Sequence, residues 1–289
     1  MPARALYLPD LDAHLCYHDL GGHEPVCVYL HGLGLASSAD VPAIARHHLL
    51  APYRALLVDL LGFGFSDHPA AFPHTLEAHA ATVAHLLDHL GLRDCHLVGH
   101  SLGGTIAIVL AAARPDLVAS LVVAEPNLEP EDATLSRTIA DQTEAEYVAT
   151  GHATLVARAE TWVAEDPAMS TYPSTLRAAD PRAMHRSAAA LVTVSLRQTF
   201  LALTLPRTYV FGAKTLPHHH EAWLCVAGVA VAVVPDAGHL MLTGNPDGVA
   251  RVIAASLPAP DRDAERVTPG SASPHGHPTA FVTVPIRPG

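Results

Sequence analysis

The chain opens with two short segments, Ala3 to Leu8 and His14 to Asp19, that read as an antiparallel hairpin at the edge of a sheet. The pattern then changes. Val26-Cys-Val-Tyr-Leu30 is a continuous apolar run, as expected for a strand buried on both faces, and Arg54 to Val58, Cys95 to Val98 and Leu117 to Ala124 are three more strand runs, mostly apolar. Between them the period lengthens. Leu76, Ala80, Val83, Leu87 and Leu90 share one helical stripe that Gly91 ends, and Ile106 to Ala113 is apolar all round, a buried helix stopped by Pro115. Buried strands alternating with helices predict an α/β fold built on a mostly parallel, doubly wound sheet.

The alternation lapses after Ala124. From Glu129 to Leu205 there are helical stretches, broken by Pro167, Pro173 and Pro181, and no convincing strand. It resumes with a strand at Thr208 to Phe211, a helix near Glu221 to Val226, a strand at Val229 to Val234 and a last helix from Pro246 to Leu257. The expectation is a core of residues 1–126 and 206–257 carrying an inserted all-helical segment, 127–205. Residues 258–289 hold seven prolines without an amphipathic period and read as a tail, within which Thr279 to Val284 is an optional strand for a sheet edge.

Composition narrows the classes. Lys plus Arg total 17 against 28 Asp plus Glu, a net charge of −11, and Lys214 is the single lysine, which argues against nucleic-acid binding. With 49% hydrophobic and 16% charged residues the chain can bury a large core. The longest apolar run, Leu224 to Val234, has 11 residues and is too short to span a membrane. No secretory pattern opens the chain, and Cys16, Cys27, Cys95 and Cys225 have neither CxxC spacing nor disulfide-scaffold density. A soluble, reduced, cytoplasmic protein is the default, with a homo-oligomer left open.

Three loops carry chemistry. Gly99-His-Ser-Leu-Gly103 matches G-x-S-x-G where a strand turns directly into an apolar helix. That turn strains the central residue and crowds the neighbouring chains, so glycines flank it, and Ser101 is pushed to the carboxyl end of the sheet at a helix N-terminus. His31-Gly-Leu-Gly34 follows the strand ending at Leu30, and its Leu33 N–H can converge with the N–H of Leu102 on the oxygen of a tetrahedral intermediate. His31 itself reads as a loop anchor. Asp236-Ala-Gly-His239 follows the last strand and is placed to swing an imidazole over Ser101 as general base.

In this order, oxyanion loop, nucleophile, histidine, the motifs over residues 3 to 257 resemble the α/β-hydrolase superfamily. The segment Asp59-Leu-Leu-Gly62-Phe-Gly64-Phe-Ser66-Asp67 adds to the resemblance, with Asp59 and Asp67 in architectural roles. The resemblance implies a serine hydrolase whose helical insertion is a lid over the active site. Many members place an acid after the strand mapped to Thr208 to Phe211, where this chain reads Gly212-Ala-Lys214-Thr215. Glu125, directly after the strand ending at Ala124, is the substitute, as in branches of the superfamily that carry the acid there. Asp236 would have to fold back on itself to serve.

The expected activity is cleavage of a small apolar carboxylic ester or lactone through an acyl-enzyme on Ser101, with no cofactor. Alternatives are a carbon–carbon bond hydrolase or acyltransferase with the same residues, or a low-turnover ligand-binding protein. Asn127, Trp162, Tyr172 and Met184 are candidate substrate contacts, with lid core as the other reading of the last three. Pro217-His-His-His220 invites a metal reading but reads as a solvated face, because adjacent histidines at a helix start point in different directions and no carboxylate or cysteine pattern completes a tetrahedral set.

Overall fold

The computed structural model describes residues 3–258. Eight strands among these residues form one sheet: β1 (Ala3–Leu8), β2 (Ala13–Asp19), β3 (His23–Leu30), β4 (Tyr53–Val58), β5 (Cys95–His100), β6 (Val118–Ala124), β7 (Arg207–Gly212) and β8 (Ala230–Val234). Their spatial order is β1-β2-β4-β3-β5-β6-β7-β8. The hairpin β1–β2 joins β4 antiparallel, and every pairing from β4 to β8 is parallel. β3 begins earlier than its apolar run. Pro25 offers no N–H to the ladder, and the register with β4 slips between His23 and Val26.

Alternate residues of each central strand enter opposite cores. Val26, Val28, Leu30, Leu97, Leu121 and Val123 face the helices Leu76–His89 and Leu102–Ala113, while Cys27, Tyr29, Val122, Ala124 and Val210 pack against Ile44 and the helix Pro246–Ser256. The Thr75 side chain caps Leu76–His89 by accepting from the Ala78 N–H, and Gly91 follows at φ 66°. β8 is the open edge, and its Val231 and Val233 are exposed. The optional strand Thr279–Val284 and the tail beyond Pro258 lie outside the described residues. All four cysteines are free.

Between β6 and β7 the described chain contains helices and no strand, among them Thr134–Ala140, His152–Glu165, Tyr172–Ala178 and Pro181–Leu191. Pro167, Pro173 and Pro181 each stand in the first turn of a helix, so they start helices more than they break them. The segment's Leu155, Tyr172, Leu176 and Leu191 join the same apolar cluster as β3 and β5. A hydrogen bond of 2.6 Å from the Thr171 hydroxyl to Asp40 Oδ1 adds a polar tie to the loop after β3. No helix among the described residues is long and apolar enough to cross a membrane.

The turn from β5 into Leu102–Ala113 is as crowded as its glycines suggest. A Cβ on Gly103 would stand 2.3 Å from the Leu30 carbonyl oxygen, and one on Gly99 2.5 Å from the Gly103 carbonyl oxygen. Both obstacles are backbone and cannot rotate away. Gly103→Ala is therefore expected to destabilise the fold by about 3 kcal/mol or more, read as a lowered urea midpoint; an unchanged midpoint would contradict the close approach of β3 to this helix.

Candidate active site

The carboxyl ends of five adjacent parallel strands build the site. Ser101 follows β5 and has φ 50° and ψ −120°, outside the ordinary regions for a residue with a side chain. Its N–H continues the ladder to the Ala124 carbonyl at 2.9 Å. Glu125 follows β6 at φ 44° and repeats the device, its N–H donating to the Val210 carbonyl at 3.1 Å. Each left-handed residue turns the chain sharply at the sheet's rim and keeps its amide paired.

Glu125 is buried, with 7% of its side chain exposed, and both carboxylate oxygens are occupied. Oε2 accepts from His239 Nδ1 at 2.6 Å, and Oε1 accepts from the Gly212 N–H at 2.8 Å and the Thr215 hydroxyl at 2.5 Å. Burial works to raise the pKa and is outweighed by His239, Thr215 and Gly212, which hold it at about 2. With Nδ1 donating to the carboxylate, Nε2 is the basic nitrogen of His239.

His239 sits on the loop after β8, which the Lys214 N–H ties to β7 through the Ala237 carbonyl at 2.8 Å. His100, beside Ser101, grips the same loop, its Nε2 donating to the His239 carbonyl at 2.8 Å with the two rings 4.9 Å apart. Burial, reinforced by the neighbouring His239, pulls the His100 pKa down to about 3, so it is a neutral donor that positions His239.

Ser101, Glu125, His239, Leu33, Asn127, Trp162 and Tyr172 all line one cavity of about 720 Å³, within the usual range for small-molecule sites. Leu102 is fully buried beneath it, and its N–H, the first of its helix, has no intrahelical acceptor. Met184 is a correction. It is fully buried in the apolar cluster beside Gly34 and does not line the cavity, because its helix turns that face onto the loop after β3. His31 anchors its loop from both ring nitrogens, Nδ1 donating to the Gly32 carbonyl and Nε2 accepting from the Leu60 N–H. Asp59 accepts from the Ser38 N–H, the Ser38 hydroxyl and the Phe65 N–H, and Asp67 from the His14 N–H.

Three features went unread in the sequence. Thr215 supports Glu125, and nothing about a threonine in a turn announces that. The cavity wall carries Glu131, Asp132, Glu165 and Asp166 besides Glu125, and no lysine or arginine among its lining residues. His220, expected on a solvated face, is fully buried, and its Nδ1 lies 3.0 Å from the Tyr209 hydroxyl.

A family model described as alpha/beta hydrolase fold matches residues 25–246, and the chain belongs to that family. It is 34% identical over 116 residues to a 2-hydroxy-6-oxononadienedioate/2-hydroxy-6-oxononatrienedioate hydrolase of Dechloromonas aromatica, covering 39% of this chain and 40% of that protein. It is 52% identical over 68 residues to lipase LipV of Mycobacterium tuberculosis, covering 24% of this chain and 25% of that one. The curated relatives are thus matched over 41% or less of their own length. A thermophilic esterase from Thermogutta terrifontis superposes with a TM-score of 0.70 at 25% identity, over 88% of this chain and 96% of its own.

The depressed pKa has a consequence for stability. Glu125 titrates near 2 when folded against an ordinary 4.5, so its charge stabilises the fold fully above about pH 4.5 and that contribution is lost as pH falls toward 2. The stability gap between wild type and Glu125→Gln, measured by urea unfolding, should be wider at pH 6 than at pH 3. An equal gap would mean that the carboxylate is not held ionised by its partners.

Proposed function

We propose that the protein is a serine hydrolase that cleaves a neutral carboxylic ester or lactone, with residues 127–205 serving as the lid of its pocket. The observation that carries this reading is the Glu125–His239 hydrogen bond at the rim of the cavity that also contains Ser101. His239 Nε2 takes the Ser101 proton as Oγ attacks the carbonyl carbon. The N–H groups of Leu33 and Leu102 hold the resulting oxyanion, and Glu125 fixes the tautomer and stabilises the imidazolium. The imidazolium gives its proton to the departing alkoxide, leaving an acyl-Ser101. Water, deprotonated by His239, then releases the acid and restores the serine.

The second reading, carbon–carbon bond hydrolysis, draws on the names of the sequence relatives. The dienedioate in those names is a dianion, whereas this cavity is lined by five carboxylates and by no lysine or arginine. A dianionic substrate would meet like charge at close range. A neutral acyl group against Leu33, Leu35, Trp162, Met169 and Tyr172 suits the lining better, which favours the ester or lactone.

A fluorophosphonate should label Ser101 in the wild type and fail to label His239→Ala. On a panel of neutral p-nitrophenyl esters and a macrolactone, Glu125→Gln should lose about 10³–10⁴ in turnover, the scale of other tautomer-breaking substitutions. Near-wild-type turnover in that variant would move the acid elsewhere. Turnover of a dienedioate in preference to every ester and lactone would replace this reading with the second one.

A further inference from the structure

We infer that His219, His220 and Asp132 form a binding site for one divalent transition-metal ion of the zinc class, with His218 and Glu129 within reach as further ligands. Asp132 Oδ1 lies 2.9 Å from His219 Nε2 and 3.2 Å from His220 Nε2, and Glu129 Oε2 lies 3.7 Å from His220 Nε2. One ring nitrogen from each of His218, His219 and His220 falls within 4.8 Å of the others. Donors that share a tetrahedral zinc ion at ~2.1 Å stand roughly 3.4 Å apart, so small shifts bring these atoms onto one ion. Imidazole nitrogen with a single carboxylate is a donor set suited to zinc and its neighbours, and not to magnesium or calcium.

The two buried donors are held from behind, as metal ligands are. His220 is fully buried and meets the Tyr209 hydroxyl through Nδ1, which aims Nε2 at Asp132. Asp132 has 6% of its side chain exposed; its Oδ2 accepts from the N–H groups of Leu128 and Glu129 at 2.7 Å and 3.0 Å, which leaves Oδ1 turned to the histidines. Neither His220 Nε2 nor Asp132 Oδ1 has a hydrogen bond of acceptable alignment, although the two stand 3.2 Å apart. Two buried, oriented ligand atoms that face each other at this separation match a pair bridged by a cation.

Arg197, stacked over Trp223 at 4.7 Å, lies 3.5 Å from Glu129 Oε1 and offsets part of that residue's charge, which makes Asp132 the principal anion. His218, His219 and Asp132 all line the catalytic cavity. A bound ion would therefore clamp the turn after β7 to the start of the helical segment, in the cavity wall.

The test reads metal content and does not depend on the hydrolase reading. Full-length protein without an affinity tag is stripped with a chelator and titrated with Zn²⁺ against a chromogenic competitor, and retained metal is counted by plasma mass spectrometry. The wild type should hold one tight equivalent. His219→Ala, at a side chain 49% exposed, should keep the fold and weaken that equivalent at least tenfold, as should Asp132→Asn. Tyr209→Phe, which removes only the support behind His220, should weaken it by roughly 10–100-fold. His47→Ala, at a surface histidine paired with Asp247, should leave it unchanged. The inference is overturned if the wild type retains no equivalent, or if His219→Ala and wild type bind zinc alike; a simple imidazolium–carboxylate pair would give the first result.

Discussion

A carboxylate taken out of water must find compensating donors or give up its charge, and Glu125 meets that requirement with groups from three places in the chain. Its partners are the amide at the end of β7, the Thr215 hydroxyl just beyond it, and His239 from the loop after β8. β7 lies between β6 and β8, so the side chain has to cross one strand end to reach the imidazole. Glutamate is one methylene longer than aspartate, and the left-handed turn at Glu125 starts it from the rim. The registers of β6, β7 and β8 are thereby coupled to the orientation of one histidine ring. Displacement of any of the three strand ends would strand a buried charge.

The central sheet was legible because parallel strands buried on both faces are largely apolar; Val26–Leu30 shows that pattern without interruption and Leu117–Ala124 with only Ser120 between. The ends were less legible. His23 joins β3 ahead of a proline that interrupts the ladder, and β8, at the open edge, exposes Val231 and Val233 although its sequence resembles a buried strand. Glu125 and His239 were singled out by their position after strands, and the structure brings them to 2.6 Å of each other through Oε2 and Nδ1. Thr215 meets Glu125 only because the turn after β7 folds beside the end of β6, while the Asp132 contacts and the inward placement of Met184 depend on how the helical segment docks. No local pattern in the chain encodes that docking.

The charge lining the cavity is one-sided. Five carboxylates and no lysine or arginine among its lining residues disfavour a substrate anion there. His100 contributes differently. Held neutral by its burial, it gives its one donor to the backbone of the loop that carries His239.

The turn after β7 links these observations. It carries no carboxylate before Glu221, and its Thr215 donates to the Glu125 carboxylate while Lys214 is exposed. The same stretch continues into His218, His219 and His220, which face Asp132 across the cavity wall. The β7 turn thus contacts Glu125 through Gly212 and Thr215 and Asp132 of the helical segment through its histidines, so its conformation bears on the carboxylate that holds the His239 ring.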